Sequence, residues 1–439
     1  MNDLHGRFRR LERLDAPDLW NEAVARASEL PMTAPRRASG LTLILAAALL
    51  LVALAAALAI GARFVDPSPV RPTLDHENGM IVAQHGCGRL IGLDHASFES
   101  RELVPSSPAC TNDYLEVKTA WSADGQQLAY VVSAECGGCP KEISQATRDS
   151  TGAWVYDART GASRHLHECP EFFCEDIDIS SDGSLVAYVA TTPAAGRYAL
   201  MVVDVASGGS HRIELPGSPG GPTFSPDGTR VAVPVHGGTS GLHVVDVGGI
   251  DGFFGTDTLE STLLYGPARV SNATWSPDGA WIAFDQVSAE EHEPWDLQQQ
   301  GTSGIWIVRA DGSDRRLLAS GPAAEGPGYP TWSPDSASVA YITTPNQGRP
   351  DAWKLDLWTV AIDGGQPARI YESDCCFDDY RKPAWSPDGE WIAFGIRVPG
   401  RGPESGILVL RPDGSEAHLA SAYVLEPVWQ PLPLQPPSR

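Results

Sequence analysis

A short motif recurs along most of this chain and constrains its fold more than any other feature. An aromatic or aliphatic residue precedes Ser-Pro-Asp-Gly or a close variant, and a strand-like run such as Trp281-Ile282-Ala283-Phe284 follows. Repeats of about 40 to 60 residues that contain several short strands are typical of a β-propeller. The first positions of the motif, at successive spacings of 58, 45, 51, 57, 53 and 44 residues, are Trp121, Ile179, Phe224, Trp275, Trp332, Trp385 and Trp429.

Each repeat predicts one four-stranded blade. In the Ser-Pro-Asp-Gly turn, Pro sets φ near −65°, Asp is tolerated next, and Gly closes a type I turn between the first two strands. Third strands are expected over Tyr198–Gly208 and Gly304–Ser313, each followed by an Asp/Gly turn and a fourth strand. Because the motif aspartates recur once per blade, we interpret them as turn formers and not as metal ligands. They are Asp124, Asp182, Asp227, Asp278, Asp335 and Asp388.

The two ends of the repeat region predict how the ring closes. Gly79–Ala83, Arg89–Asp94 and Ser100–Val104 match a second, third and fourth strand, but no first strand precedes them. The missing first strand is found at Pro427–Pro431. We therefore expect an all-β, seven-bladed propeller over residues 78–431 in which the last strand completes the first blade. A six-bladed ring with one irregular unit is the alternative.

The repeats resemble the WD40-like (PD40) repeats of the TolB-type propeller family, through Trp275-Ser276-Pro277-Asp278-Gly279 and its copies. Three copies depart from this pattern: Ala123 replaces the turn Pro, Ser336 replaces the turn Gly, and Ile179-Ser180-Ser181 replaces Trp-Ser-Pro. The resemblance implies the fold. It implies little about function, since such propellers serve as translocation scaffolds, sensor domains and gating halves of peptidases.

An apolar segment near the N-terminus predicts a membrane anchor. Leu41–Ile60 contains no charged residue, and at about 1.5 Å per residue it spans a hydrocarbon core of roughly 30 Å. A cleavable signal peptide is the alternative, but its charged n-region would be unusually long. Arginines concentrate before the segment, which predicts a cytoplasmic N-terminus and an extracytoplasmic propeller. The expected domains are a tail (1–40), a transmembrane helix (41–62), a linker (63–77), the propeller (78–431) and a C-terminal tail (432–439).

The cytoplasmic tail has apolar stripes at helical spacing over residues 3–30, which predict two short helices. A segment of this size cannot bury such stripes by itself. It is therefore expected either to lie on the membrane surface or to bind a cytoplasmic regulatory partner.

Charge and cysteine placement both fit an exported domain. The chain carries a net charge of −23, and the residues after position 65 hold 24 basic and 49 acidic side chains. A surface this acidic repels phosphate backbones, so nucleic acid is not an expected partner. Every cysteine follows the apolar segment, and disulfides are expected in an oxidising compartment. Their pairing is open, and a redox pair or a zinc site is the alternative for the four central ones. The cysteines are Cys87, Cys110, Cys136, Cys139, Cys169, Cys174, Cys375 and Cys376.

One face of the propeller is the candidate binding surface. The second-to-third connections and the connections from each fourth strand to the next blade emerge on the same side, which we call the loop face. These connections are long and variable, and they contain all the cysteines. Loops of this kind commonly carry function. The candidate binding residues there are His85, His236, His292, Asp374, Asp378 and Asp379.

Two functions are consistent with this surface. The leading hypothesis is a non-enzymatic scaffold, sensor or binding module for an extracytoplasmic protein, peptide or glycan, with no cofactor and no metal. The alternative is a membrane-tethered, metal-dependent lyase or hydrolase that acts on extracellular polysaccharide. In that case His85, His236 and His292 would be the metal ligands, because the repeats also look similar to those of seven-bladed oligogalacturonate lyases.

Overall fold

A computed structural model describes the propeller, and all described residues belong to the second of two compact units, Pro69–Arg439. The described ranges are 76–85, 89–105, 115–134, 151–169, 174–192, 197–248, 259–289, 301–322, 326–344, 355–373, 382–397, 405–422 and 425–433. The predicted tail and membrane helix lie outside these ranges. Within them no helix is long and apolar enough to cross a membrane.

The described residues form seven antiparallel sheets that follow one another in chain order, which confirms the seven-bladed propeller. In each blade the strands are given from the first strand outward. Blade 1 contains β29 (Leu425–Pro433), β1 (His76–His85), β2 (Arg89–Leu93) and β3 (Ser100–Val104); blade 2 contains β4 (Leu115–Trp121), β5 (Gln127–Ala134), β6 (Gly152–Asp157) and β7 (Ala162–His167); blade 3 contains β8 (Cys174–Ile179), β9 (Leu185–Thr192), β10 (Arg197–Asp204) and β11 (Ser210–Ile213).

The other four blades repeat this order, except that the first strand of blade 4 is divided into two short pieces. Blade 4 contains β12 (Ser218–Pro219), β13 (Thr223–Phe224), β14 (Arg230–His236), β15 (Gly241–Asp246) and β16 (Ser261–Tyr265); blade 5 contains β17 (Arg269–Trp275), β18 (Trp281–Ala289), β19 (Gly301–Arg309) and β20 (Arg316–Pro322); blade 6 contains β21 (Gly328–Trp332), β22 (Ser338–Thr343), β23 (Asp356–Ala361) and β24 (Ala368–Glu372); blade 7 contains β25 (Ala384–Trp385), β26 (Ile392–Arg397), β27 (Ser405–Leu410) and β28 (His418–Ala422).

The Ser-Pro-Asp-Gly turns share one hydrogen-bond pattern in six blades. The Ser hydroxyl donates to the Asp carboxylate at 2.5–2.7 Å. The same carboxylate accepts from the amide two residues further on at 2.9–3.0 Å. The last residue of the motif donates its amide to the Ser carbonyl at 2.8–2.9 Å. Each motif Asp is therefore engaged within its own turn.

The hydrophobic core lies between the blades. β9 shows how one strand serves two interfaces, since Tyr188 packs in the cluster shared with blade 2 while Ala187 packs in the cluster shared with blade 4. This alternation follows from the two-residue period of a strand. A seventh cluster joins blade 7 to blade 1 through residues such as Ile407 and Trp429, so the ring is closed.

Closure uses hydrogen bonds as well as packing. β29 pairs with β1 in antiparallel register, with Ile81 opposite Trp429. The Trp429 indole Nε1 donates to the Ala384 carbonyl of blade 7 at 3.1 Å. The Asn78 amide of blade 1 donates to the Asp388 carboxylate of blade 7 at 2.7 Å. The prediction that the C-terminal strand completes the first blade is confirmed.

The indole hydrogen bond of Trp429 gives a matched test of closure. Trp429→Phe removes a buried donor that has an acceptor, and we expect it to lower the free energy of unfolding by about 1 kcal/mol. Trp121→Phe is the control, because the buried Trp121 Nε1 has no hydrogen-bond partner within the described residues. Denaturant unfolding of the full-length protein in detergent measures both. An equal loss in the two variants would show that the closing hydrogen bond contributes nothing.

Ser336 provides a second test, because it occupies the turn position that is otherwise Gly. Its φ is +60°, a conformation that disfavours side chains. Its hydroxyl oxygen accepts a hydrogen bond from the backbone amide of Asp278, in the preceding blade, at 3.0 Å. We expect Ser336→Ala to destabilise by about 1–2 kcal/mol, since the amide loses its acceptor. Ser336→Gly loses the same bond but relieves the backbone, so its thermal midpoint should exceed that of Ser336→Ala. The reverse order would contradict this account.

Candidate functional site

The first strands line the central channel, and one position on them is polar or charged in six of the seven blades. This position lies three residues before the recurring aromatic or aliphatic residue, towards the end of the channel that opens on the loop face. We call the set the channel ring. It consists, in blade order, of Glu426, Lys118, Asp176, Gly221, Asn272, Tyr329 and Lys382.

Bulges shape this ring in four blades. Glu426, Asp176, Asn272 and Tyr329 have φ of +53°, +39°, +50° and +56°. The strand register shifts beside each of them. A bulge re-aims a side chain relative to its neighbours in a strand, and non-Gly residues in this conformation cluster at functional positions.

Lys118 is the paired cation of the ring. Its ammonium forms an ion pair with Glu426 and lies 2.7 Å from a carboxylate oxygen of Glu116. Burial opposes the charged form, but the two carboxylates outweigh burial and raise the pKa of Lys118 above its usual value. This ammonium therefore stays charged, and its interactions are already used.

Two carboxyl groups of β8 lie near the ring lysines: Lys118 and Lys382 both attract Asp176, and Lys382 attracts Asp178. Burial raises the pKa of Asp178 to about 6, although the Phe224 amide donates to it at 2.7 Å and the Ile179 amide at 2.9 Å. Burial also raises the pKa of Asp176, against the attraction of Lys118. No donor within the described part of the chain hydrogen-bonds the Asp176 carboxylate.

Lys382 is the second ring lysine. Protein surrounds it and lowers its pKa, while Asp178, Asp176 and Glu426 act in the opposite direction. The side chain is nevertheless accessible to water inside the channel. Within the described residues it forms no ion pair, so it faces the channel as a hydrated cation.

A disulfide lies next to the carboxyl groups of β8. Cys169 and Cys174 are bonded, with their Cα atoms 5.6 Å apart. Cys174 is the first residue of β8 and Asp176 follows two residues later, so the bridge ties the loop-face end of this strand to the preceding connection. The disulfide prediction is confirmed for this pair. The other six cysteines, Cys87, Cys110, Cys136, Cys139, Cys375 and Cys376, lie outside the described residues.

The structure describes few of the predicted loop-face residues. His236 ends β14 and is half-buried, and both burial and Arg269 lower its pKa. His85 ends β1, and nothing is described of its side chain. His292, Asp374, Asp378 and Asp379 lie outside the described residues. Where side chains are described, no group of three or more His, Cys, Asp or Glu residues is arranged to hold a metal ion.

Sequence reasoning missed the channel ring, although its signal was present. The recognisable motif begins at its aromatic or aliphatic residue, whereas the ring residues precede it at a constant offset. Polar or charged residues occupy six of the seven offset positions, and Gly occupies the seventh. Two of the four lysines in the chain are among them.

Comparison with known proteins agrees with this fold. No protein-family model matches the chain. An uncharacterized protein of Agrobacterium fabrum is 26% identical over 229 residues, which cover 50% of this chain and 68% of that protein. The uncharacterized peptidase YuxL of Bacillus subtilis is 23% identical over 164 residues, which cover 30% of this chain but only 23% of the peptidase.

The chain is also similar to proteins of known structure. The periplasmic gluconolactonase PpgL of Pseudomonas aeruginosa has a TM-score of 0.53 at 15% identity and covers 82% of this chain and 100% of its own. An oligogalacturonate lyase in complex with manganese has a TM-score of 0.48 at 16% identity, with 77% and 84% covered. TolB of Acinetobacter baumannii has a TM-score of 0.43 at 16% identity, with 72% and 82% covered. At these identities the likeness extends to the fold alone, a β-propeller.

A buried carboxyl group behind the ring gives a pH-dependent prediction. Asp285 accepts hydrogen bonds from the Asn272 side chain at 2.8 Å and from the Tyr329 amide at 3.3 Å, and so connects two bulges. Burial raises its pKa from 3.8 to about 6. The folded state therefore binds this proton more tightly than the unfolded state, and stability should fall as pH rises from about 4 to about 6.

We expect Asp285→Asn to remove this part of the pH dependence. The loss attributable to Asp285 over that range is on the order of 2–3 kcal/mol. Asp178 has a similarly raised pKa and is unchanged in the variant, so a reduced slope should persist. Unfolding free energies of wild type and variant at pH 4.5 and pH 7 measure the difference. Parallel pH profiles of the two proteins would show that the pKa of Asp285 is not raised in the folded state.

Proposed function

We propose that the protein is a binding module whose ligand, a protein, peptide or glycan, enters the channel from the loop face. The observation that carries this proposal is the ring carboxyl group of Asp176, which is surrounded by protein and has neither a hydrogen bond nor an ion pair within the described residues. A charge surrounded by protein is costly unless it is paired. A ligand that supplies a complementary group would recover that cost, whereas Lys118 has already recovered it through Glu116 and Glu426.

The end of the channel that opens on the loop face is arranged in a way that suits selective binding. Four bulges, the Asp285 bridge and the disulfide at the start of β8 restrict the first strands on which the ring residues lie. Preorganised groups lose less conformational freedom when a ligand arrives. We infer binding, and not catalysis, as the primary role. The lactonase and lyase activities named above are properties of those proteins.

We further propose that the propeller lies outside the cytoplasm, anchored by residues 41–62, with the N-terminus inside. The Cys169–Cys174 disulfide supports this location, because disulfides persist mainly in oxidising compartments. The proposal includes a cytoplasmic regulatory partner for residues 1–40, which would let binding outside be relayed inside.

Site-specific photocrosslinking in cells tests which face binds. Thr239 is exposed in the connection between β14 and β15, on the loop face, whereas Thr160 is exposed in the turn between β6 and β7, on the opposite face. Replacing each threonine with a photoreactive phenylalanine analogue gives a matched pair in the full-length protein. We expect a discrete crosslinked product from position 239 and none from position 160. Equal products, or a product at position 160 alone, would exclude the loop face as the binding surface.

A further inference from the structure

The two lysines of the channel ring have opposite surroundings. Lys118 is bound by Glu116 and Glu426, which outweigh burial, raise its pKa and hold its ammonium group. Lys382 forms no hydrogen bond or ion pair within the described residues, and burial among protein atoms lowers its pKa against the attraction of nearby carboxyl groups. Its side chain is nevertheless exposed to water. An exposed amine with a lowered pKa is more often neutral than an ordinary lysine, and the neutral amine is a nucleophile.

Lys382 extends into the channel. It lies just before β25 in blade 7, but the carboxyl groups that attract it belong to Asp178 and Asp176 on β8 of blade 3 and to Glu426 on β29 of blade 1. Blades 1 and 2 separate blade 7 from blade 3 along the channel wall. The lysine side chain approaches β8 by crossing the channel, so a ligand that enters from the loop face meets this amine.

Asp176 is the acidic counterpart of this amine. Burial and two neighbouring glutamates raise its pKa, while the two ring lysines act in the opposite direction. Asp176 and Lys382 attract each other, but these two described side chains are joined by no hydrogen bond or ion pair. Asp178 differs, because its carboxylate accepts two backbone amides. Asp176 therefore remains able to carry a proton and to donate it.

The mixture of charges around these two groups favours a neutral ligand. An anion drawn to Lys382 would be repelled by the three carboxyl groups around that lysine. A cation drawn to Asp176 would be repelled by Lys382 and Lys118. A neutral ligand meets neither repulsion. Among neutral groups, an aldehyde or ketone carbonyl combines reversibly with a free amine when an acid lies beside it.

We propose that Lys382 binds the carbonyl group of a neutral ligand as a reversible imine, with Asp176 as the proton donor. The neutral amine forms a bond from Nζ to the carbonyl carbon, and a proton passes from the nitrogen to the carbonyl oxygen. The Asp176 carboxylic acid then protonates the resulting hydroxyl group, water leaves, and the C=N bond forms. The products are a protonated imine and the Asp176 carboxylate, which attract each other. Addition of water reverses these steps, and no oxidant or reductant takes part.

This inference rests on the proposed binding function and narrows its ligand. A glycan carries an aldehyde or ketone at its reducing end when the terminal sugar is in its open-chain form. An unmodified protein or peptide carries neither group. The ligand is therefore a neutral glycan that enters the channel by its reducing end.

Reductive trapping on the full-length protein in detergent tests the proposal. The probe is D-glyceraldehyde, an uncharged sugar too short to close into a stable ring, and cyanoborohydride converts each imine into a stable amine. Peptide mass spectrometry then measures the labelling rate at each of the four lysines of the chain. Lys118 is the matched control, because it lies on the same ring but is held by carboxylates. We expect Lys382 to be labelled about tenfold faster or more. An equal or slower rate at Lys382 would overturn the proposal.

Asp176→Asn tests the proton donor. Loss of this carboxylate alone would make the Lys382 amine easier to deprotonate and would speed its labelling. Loss of a proton donor has the opposite effect, and we expect labelling by glyceraldehyde to slow by about tenfold or more. Acetylation of Lys382 by N-acetoxysuccinimide needs no such donor and should not slow. If glyceraldehyde labels the variant at the wild-type rate or faster, Asp176 is not the donor and the proposal is wrong.

Asp363→Asn is the control for general charge. It removes an exposed carboxylate in the turn after β23 and should leave both reactions of Lys382 unchanged. Thermal unfolding identifies any variant that fails to fold. The comparison of Lys382 with Lys118 is made in the wild type and does not depend on a variant.

The outcomes distinguish this inference from the proposed function. If Lys382 is not preferentially trapped while the crosslink at position 239 forms, the inference is wrong and the loop face still binds a ligand. If Lys382 is trapped in an Asp176-dependent manner but position 239 gives no crosslink, the imine chemistry is supported and the wider binding function is not.

Discussion

Blades that are apolar on both faces cannot be stable alone, and this constraint determines the architecture. Adjacent residues of one strand, such as Ala187 and Tyr188, are both fully buried, but in different inter-blade clusters. Every sheet therefore needs a neighbour on each side, which only a closed ring provides for all of them. β29 supplies the last contact by completing the sheet that packs against blade 7. The channel, its ring of polar residues and the loop face all exist because that contact is made.

Ring closure also places seven first strands around one axis, and this geometry creates the candidate site. On those strands the motif residues Ile179 and Trp275 pack into inter-blade clusters, and the ring residue Tyr329 packs against another. The apolar positions are used for packing, so polar residues accumulate on the channel side. Bulges at Asp176, Asn272 and Tyr329 then orient single side chains without disturbing the aromatic or aliphatic residue three positions later. In six of the seven blades the turn that follows, with its Ser–Asp hydrogen bond, holds the other end of the first strand.

Most of the fold could be predicted from the sequence, because each repeat carries its own turn chemistry and strand pattern. The closing strand is predictable because the Trp429 unit has no later strands of its own and Gly79–Ala83 has no first strand before it. Third-strand bounds were less accurate: β10 ends at Asp204, where the next turn begins. The site could be predicted only in part. The loop face follows from topology, but the orientation of the ring side chains depends on strand bulges at Glu426, Asp176, Asn272 and Tyr329 that no local pattern predicts.

The Cys169–Cys174 pairing and the hydrogen bonds of Asp285 could likewise not be predicted from the sequence, for a physical reason. Eight cysteines have many pairings, and the one formed here depends on a Cα separation that spacing alone does not specify. Asp285 connects Asn272 to the Tyr329 amide, groups that belong to two neighbouring blades. Such contacts arise from the angle between blades, which no local pattern encodes.

The pairing of β1 with β29 has a consequence for biosynthesis. β1 is the first strand of the propeller to be translated and its partner is the last, with Ile81 opposite Trp429. Until the ribosome has made residue 433, the inner edge of blade 1 offers unpaired amides and carbonyls, and the apolar surfaces of blades 1 and 7 lack each other. Exposed edges of this kind invite aggregation. The propeller is therefore vulnerable until β29 has been made, and its dependence on chaperones should be greatest before that strand pairs with β1.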